Sequence, residues 1–231
     1  MKISVCLATY NGERYIKGQV NSILSQLRTN DELIVSDDSS TDKTVEILKN
    51  INDHRIKIYI NQGRSGISHN FENALSHVSG DYIFLSDQDD IWMDNKVSKM
   101  IQALQNFDCV IHNAQVIDDK GDFLGADLFS IYRTRTGYFR NLLRNTYVGC
   151  CMAFRKSLLT YVLPIPLPVT MHDMWIGLIS EKKGTTAIIE DSLILYRRHG
   201  NNASSTSQKS NFSRYYQLKY RLIMLYYTLI R

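Results

Sequence analysis

From residue 192 to residue 231 the sequence contains no Asp or Glu, while it carries seven Lys or Arg there. Since the whole chain is only +4, residues 1–191 sum to −3. A mildly acidic body with a basic tail suits an anionic membrane surface or an anionic substrate; no nucleic-acid partner is expected. Proline is nearly absent, and all three residues fall in "LPIPLP". That stretch must be extended, so it reads as a loop over the surface. The four cysteines show no CxxC spacing, and Cys6 and Cys109 lie in runs that read as buried strands. A reduced cytosol is the simplest compartment. No run approaches the ~18 to 20 apolar residues needed to span a bilayer, and "MKISVCLATY" lacks a basic region followed by a long apolar one. The expected location is cytoplasmic, with peripheral contact at the inner face of the cell membrane.

What is present is a rhythm. With 44% hydrophobic and 22% charged residues the chain can bury a sizeable core, and short apolar runs alternate with longer amphipathic ones. "KISVCLA", "ELIVSD", "RIKIYIN" and "DYIFLSD" read as strands separated by helices, the signature of βαβ units in a mostly parallel sheet. Ser40 or Thr41 is expected to cap the second helix. Polar residues collect after each strand, at Thr9 to Gly12, Asp37 to Ser40, Asn61 to Gly66 and Asp87 to Asp90. Ligands of open α/β sheets bind in the crevice outside those ends. Further on, "DCVIHN" and "VGCCMAF" read as strands, Asp119 to Gly121 as a hairpin turn, and "MHDMWIGLISEKKG" as a helix stopped by Gly184. "NNASSTSQKSN" reads as a linker to a basic, aromatic, helical tail.

"LSDQDDIW" places three carboxylates in four positions. Hard oxygen ligands at a strand end suit Mg2+ or Mn2+, whereas the bland reading is a solvated turn capping a helix that starts near Met93. Asp90 fits that capping role. Of the adjacent pair Asp37 and Asp38, only one can face the crevice; Asp38 is the candidate for a base or ribose contact, supported by Thr9 and Asn11. Asp173 is a candidate general base at a helix start, with helix capping as its alternative. Arg197, Arg198 and His199 follow the strand "DSLILY", where guanidinium groups suit a diphosphate and a neutral His can ligate a metal.

In this order, "VCLATYNGERYI", "ELIVSDDSSTDKT", "NQGRSGISHNFENAL", "GDYIFLSDQDDIW" and "LYRRHGNN" resemble family 2 glycosyltransferases, inverting enzymes of the GT-A fold. The resemblance runs from Ile3 to about Asn202. It implies a Rossmann-like sheet flanked by helices, with 1–111 as the nucleotide-sugar half and 112–202 as the acceptor half; residues 203–231 read from their composition as linker and C-terminal helix. By the same resemblance Thr9, Asp38 and Arg64 contact the nucleotide, Asp87 faces the ribose, Asp89 ligates Mn2+ or Mg2+, and Arg198 and His199 lie near the metal or diphosphate. Asp173 is the implied base, although the family often has Glu-Asp where this chain has His172-Asp173.

The expected reaction moves a hexose, from UDP-glucose or UDP-galactose by preference or as rhamnose from dTDP-rhamnose, to a saccharide acceptor. The basic tail points to an undecaprenyl-diphosphate-linked acceptor in O-antigen or capsule synthesis. Packing of the tail on the body, or in a homodimer, is the alternative role for it. A nucleotidyltransferase would want a Gly-rich phosphate loop, and "TYNGERY" supplies one Gly. A non-catalytic nucleotide or saccharide binding module would tolerate loss of Asp89 and Asp173.

Overall fold

In the computed structural model residues 1–200 and 213–231 are described; the expected linker and the boundary at residue 202 fall outside them. The first half alternates as expected: β1 (Ile3–Thr9), α1 (Ile16–Leu24), β2 (Glu32–Asp37), α2 (Thr44–Asn50), β3 (Ile56–Ile60), α3 (Ile67–Ser76) and β4 (Tyr82–Ser86). β1 and β2 are buried at every residue, the mark of strands covered on both faces. β1 lies parallel to both β2 and β4, and β2 parallel to β3. Their C-terminal ends therefore share one edge of the sheet, and all four polar loops open there.

The second half adds β5 (Ile91–Trp92), α4 (Lys96–Leu104), β6 (Cys109–Ile117), β7 (Phe123–Asp127), α5 (Leu128–Tyr132), α6 (Tyr138–Leu143), β8 (Met152–Arg155), α7 (Leu159–Val162), α8 (His172–Lys183), β9 (Thr186–Arg197) and α9 (Arg214–Ile230). Among the described residues one sheet runs in the order β3-β2-β1-β4-β8-β6-β9-β5, with β7 beside β6. β8 is antiparallel to β4 and β6, while β6 and β9 are parallel. The hairpin expected at Asp119 to Gly121 joins β6 to antiparallel β7. Among the described residues, no helix is long and apolar enough to cross a membrane.

Three local expectations are corrected. α2 starts at Thr44 rather than after Ser40 or Thr41, because Ser40 turns back to bond Asp37 and Thr41 N donates to Asn11 Oδ1 (2.8 Å). α4 starts at Lys96 after Asn95, which takes a left-handed φ of 65°, so Asp90 is not its cap. The strand expected over "VGCCMAF" begins only at Met152, after one 3-10 turn at Gly149–Cys151.

One buried acid fastens the other edge of the sheet. Glu32 is 2% exposed and accepts from Lys2 Nζ (2.9 Å), Lys57 Nζ (2.7 Å), Ser4 Oγ (2.6 Å) and Ser79 N (2.7 Å). Burial opposes its charge, but the bonds from Lys57, Ser4, Ser79 and Lys2 outweigh burial and hold its pKa well below the usual carboxylate range. A depressed folded-state pKa means that this stabilisation is complete above the unfolded value and lost as pH falls. Because both ammonium groups are partly exposed, Glu32→Ala should lower the unfolding free energy by about 2 kcal/mol. Urea titration at neutral pH checks it, and the gap between the two proteins should narrow below about pH 4.

Candidate active site

At the sheet edge the first and fourth loops are stapled together. Thr9 is buried, its Oγ1 donates to Gln88 Oε1 (2.6 Å), and Tyr10 N donates to the same oxygen (2.9 Å). Of the two acids ending β2, Asp37 is buried and spent on Ser40, while Asp38 stands partly exposed at the crevice. Asp38 Oδ1 accepts from Asn61 Nδ2 and its Oδ2 from Gly66 N, both at 2.8 Å. The third loop is thereby folded around Asp38. Arg64 lies in it, exposed, with its carbonyl held by Asn61 Nδ2 at 2.9 Å.

The acid cluster sits deeper. Potential ligand atoms of Asp87, Asp90 and Cys150 all lie within 4.8 Å of one another. Burial and then the charges of Asp89 and Asp173 push the Asp87 carboxyl up to about 7. Asp90 is 1% exposed; its Oδ1 accepts from Arg197 N (3.0 Å), while its Oδ2 has no hydrogen-bond partner. A buried carboxylate oxygen left in that state is costly. The donor set suits a hard divalent ion through Asp87 and Asp90, while Asp89, expected as the ligand, is not in that group and acts on both acids through its charge. Cys150 adds little, since its bond to Cys151 and its burial push the thiol pKa up.

Asp89 Oδ2 meets His199 Nε2 at 2.8 Å, which joins two residues 110 positions apart. The His199 ring stacks on Tyr15 with centroids 4.9 Å apart. Arg197 is buried, donates through Nε to Asp89 O (3.0 Å), and lies over the same Tyr15 ring. Asp119, read as a turn residue, accepts from Tyr15 and Arg14. Arg198 is half-buried, and its backbone N–H donates to Ile117 O (2.9 Å).

Asp173 stands in the first turn of α8, where its Oδ1 accepts from Met174 N (2.6 Å). Burial raises its pKa to about 6, against the bonds from Met174 N and Asn145 that favour its charge. Its field reaches Asp87, so the candidate base and the acid cluster share one space. Neighbouring His172 is buried with neither ring nitrogen bonded, and it stacks on Phe71 at 4.0 Å. Burial lowers its pKa to about 3, so it is neutral at any working pH. A Cβ at residue 149 would meet its Nε2 at 2.6 Å, which is why the chain has glycine there.

The family model described as "Glycosyl transferase family 2" matches residues 4–163, more than half of the chain. The chain belongs to glycosyl transferase family 2. Two relatives of this transferase cover 90% of it: the putative teichuronic acid biosynthesis glycosyltransferase TuaG of Bacillus subtilis, 30% identical over 83% of its own length, and the Escherichia coli UDP-Glc:alpha-D-GlcNAc-diphosphoundecaprenol beta-1,3-glucosyltransferase WfgD, 27% identical over 80% of its length. In fold it is similar to S. aureus TarS in complex with UDP-GlcNAc, with a TM-score of 0.74 at 19% identity, covering 97% of this chain and 66% of that one. The mannosyltransferase PcManGT of Pyrobaculum calidifontis, in complex with GDP-Man and Mn2+, gives a TM-score of 0.64 at 20% identity over 87% of this chain and 58% of that one. The transferase thus spans about two thirds of the first solved chain and somewhat over half of the second.

In this family 2 transferase, sequence reasoning passed over Gln88 and Lys96. Gln88 carries no charge to mark it, although its place inside "SDQDD" could have. Lys96 looks like a surface lysine at the start of a helix, yet it is fully buried, donates to Cys150 O (2.9 Å) and sits 4.1 Å from the Trp92 ring centroid. Burial lowers its pKa to about 8, while Cys151, Cys150, Asp90 and Asp87 favour its charge. At neutral pH it is a cation built in beside the acids.

Proposed function

We propose that this transferase moves a hexose with inversion from a UDP-sugar, UDP-glucose or UDP-galactose, to a saccharide on a lipid diphosphate such as undecaprenyl diphosphate, in bacterial O-antigen or capsule synthesis. The observation that carries the reading is Asp173. Its carboxyl is set at the start of α8 with a pKa raised to about 6, in the same field as Asp87. A base of that pKa is ionised at neutral pH yet basic enough to take a proton from a hydroxyl as the bond forms. The UDP-sugar and lipid-diphosphate choices are supported by the names of WfgD and of the TarS complex.

In the proposed division of labour, Asp38 with Thr9 and Arg64 orients the nucleotide, and Asp87 faces the ribose. Asp89, with Asp90 and Asp87 beside it, would hold Mn2+ or Mg2+. A divalent ion there would neutralise charge developing on the diphosphate leaving group. His199 and Arg198 stand beside that leaving group, and His199 also fixes the Asp89 carboxylate. Asp173 takes the acceptor proton from the far side of the sugar, so one displacement inverts the anomeric carbon.

A thermal-shift panel of UDP-glucose, UDP-galactose, UDP-GlcNAc, GDP-mannose and dTDP-rhamnose, each with and without Mn2+, tests the donor. One UDP-hexose should raise the melting midpoint only when metal is added; no metal-dependent shift with any donor would overturn the reading. If dTDP-rhamnose alone shifts the midpoint, the hexose is a rhamnose.

A further inference from the structure

α9 buries Tyr220, Met224 and Thr228 against the body. On its opposite side Tyr215, Leu218, Leu222, Tyr226 and Leu229 recur every three or four residues as one stripe, each more than half exposed. A helix of a water-facing body keeps that side polar. Neighbouring α6 touches α9 through the Tyr138 and Thr228 hydroxyls, and it exposes Phe139 (71%) and Leu143 (63%). The charge of these two helices is one-sided as well. Arg140, Arg144, Arg214 and Lys219 are exposed, while neither residues 128–172 nor residues 192–231 contain an Asp or Glu.

We propose that α6 and α9 together form a docking face for an anionic lipid bilayer; this rests on the lipid-linked acceptor reading above. The charge decides the occupant. A second copy meeting this face about a two-fold axis would set its cations against their own counterparts, with no acid on either helix to pair them. An anionic bilayer takes both features at once: tyrosine, leucine and phenylalanine enter the boundary between headgroups and acyl chains, and the cations meet lipid phosphate. The face is also joined to the site. Tyr220 Oη accepts from Thr170 N (3.1 Å) and Met171 N (2.9 Å), in the segment that leads directly into Asp173. The helix lying on the lipid thus fixes the strand of chain before the candidate base, and a lipid-borne acceptor would approach Asp173 from that side.

Flotation of the full chain with phosphatidylglycerol-rich and pure phosphatidylcholine vesicles tests the proposal. Wild type should float with the former and far less with the latter. Leu218→Glu/Leu222→Glu on α9 and Arg140→Glu/Arg144→Glu on α6 and just after it should each weaken binding to the anionic vesicles roughly ten-fold or more. Both pairs are exposed, and each variant should keep the wild-type melting midpoint and turnover of a water-soluble acceptor. Equal flotation by wild type and both variants, or no flotation by wild type, would overturn the proposal. So would a dimer, measured by light scattering, that the variants turn into monomers, since a second copy would then own the face. If the donor reading is wrong instead, the metal-dependent melting shift is missing while flotation persists.

Discussion

Asp173→Asn is expected to lower turnover about a thousand-fold while leaving the donor-induced melting shift in place. General-base catalysis contributes on the order of 10² to 10⁴, and asparagine keeps the shape of the side chain without a proton-accepting carboxylate. Wild-type turnover should fall by about ten-fold per pH unit below pH 6, because the Asp173 carboxyl is pushed up to about 6 by burial and only its ionised form is a base. The sign for stability is the reverse of that for activity. A carboxyl whose folded pKa is raised favours the protonated form in the fold, so above that pKa its ionisation costs stability. The variant should therefore melt at or above the wild-type midpoint at neutral pH. Full turnover in Asp173→Asn would remove the residue from the reaction as its base.

Much of the fold was legible because its first half is a run of βαβ units. Buried strands such as "ISVCLAT" and "ELIVSD" carry apolar runs at their centres, and the breaks between them are polar. The same rhythm marked the loops where Thr9, Asp38, Asp87 and Asp89 fall. The sequence pattern said less about partners. His199 bonds Asp89 across 110 residues, and the antiparallel pairing of β5 with β9, Ile91 against Leu195, brings their segments together. Arg197, read with Arg198 as suiting a diphosphate, is instead buried against Asp89, Asp90 and Tyr15. Lys96 was invisible for a related reason: a buried lysine is told from a surface one only by what surrounds it. Helix starts were misplaced where side chains had other bonds to make, as Ser40 does with Asp37.

The second large effect is expected at Asp89. Asp89→Asn should abolish the Mn2+-dependent part of donor binding, weakening it about a hundred-fold, whereas His199→Ala should weaken it about ten-fold, as loss of a residue that orients a ligand does. The difference follows from what each variant removes. Asparagine at 89 takes away the carboxylate charge that acts on both Asp87 and Asp90. Alanine at 199 leaves that anion and removes its 2.8 Å partner and the stack on Tyr15. Because the two residues are in contact, the double variant should bind Mn2+ little worse than Asp89→Asn alone. Isothermal titration of Mn2+ in the presence of the donor, on all four proteins, measures this. Independent, additive losses would mean that His199 acts on the diphosphate directly and not through Asp89.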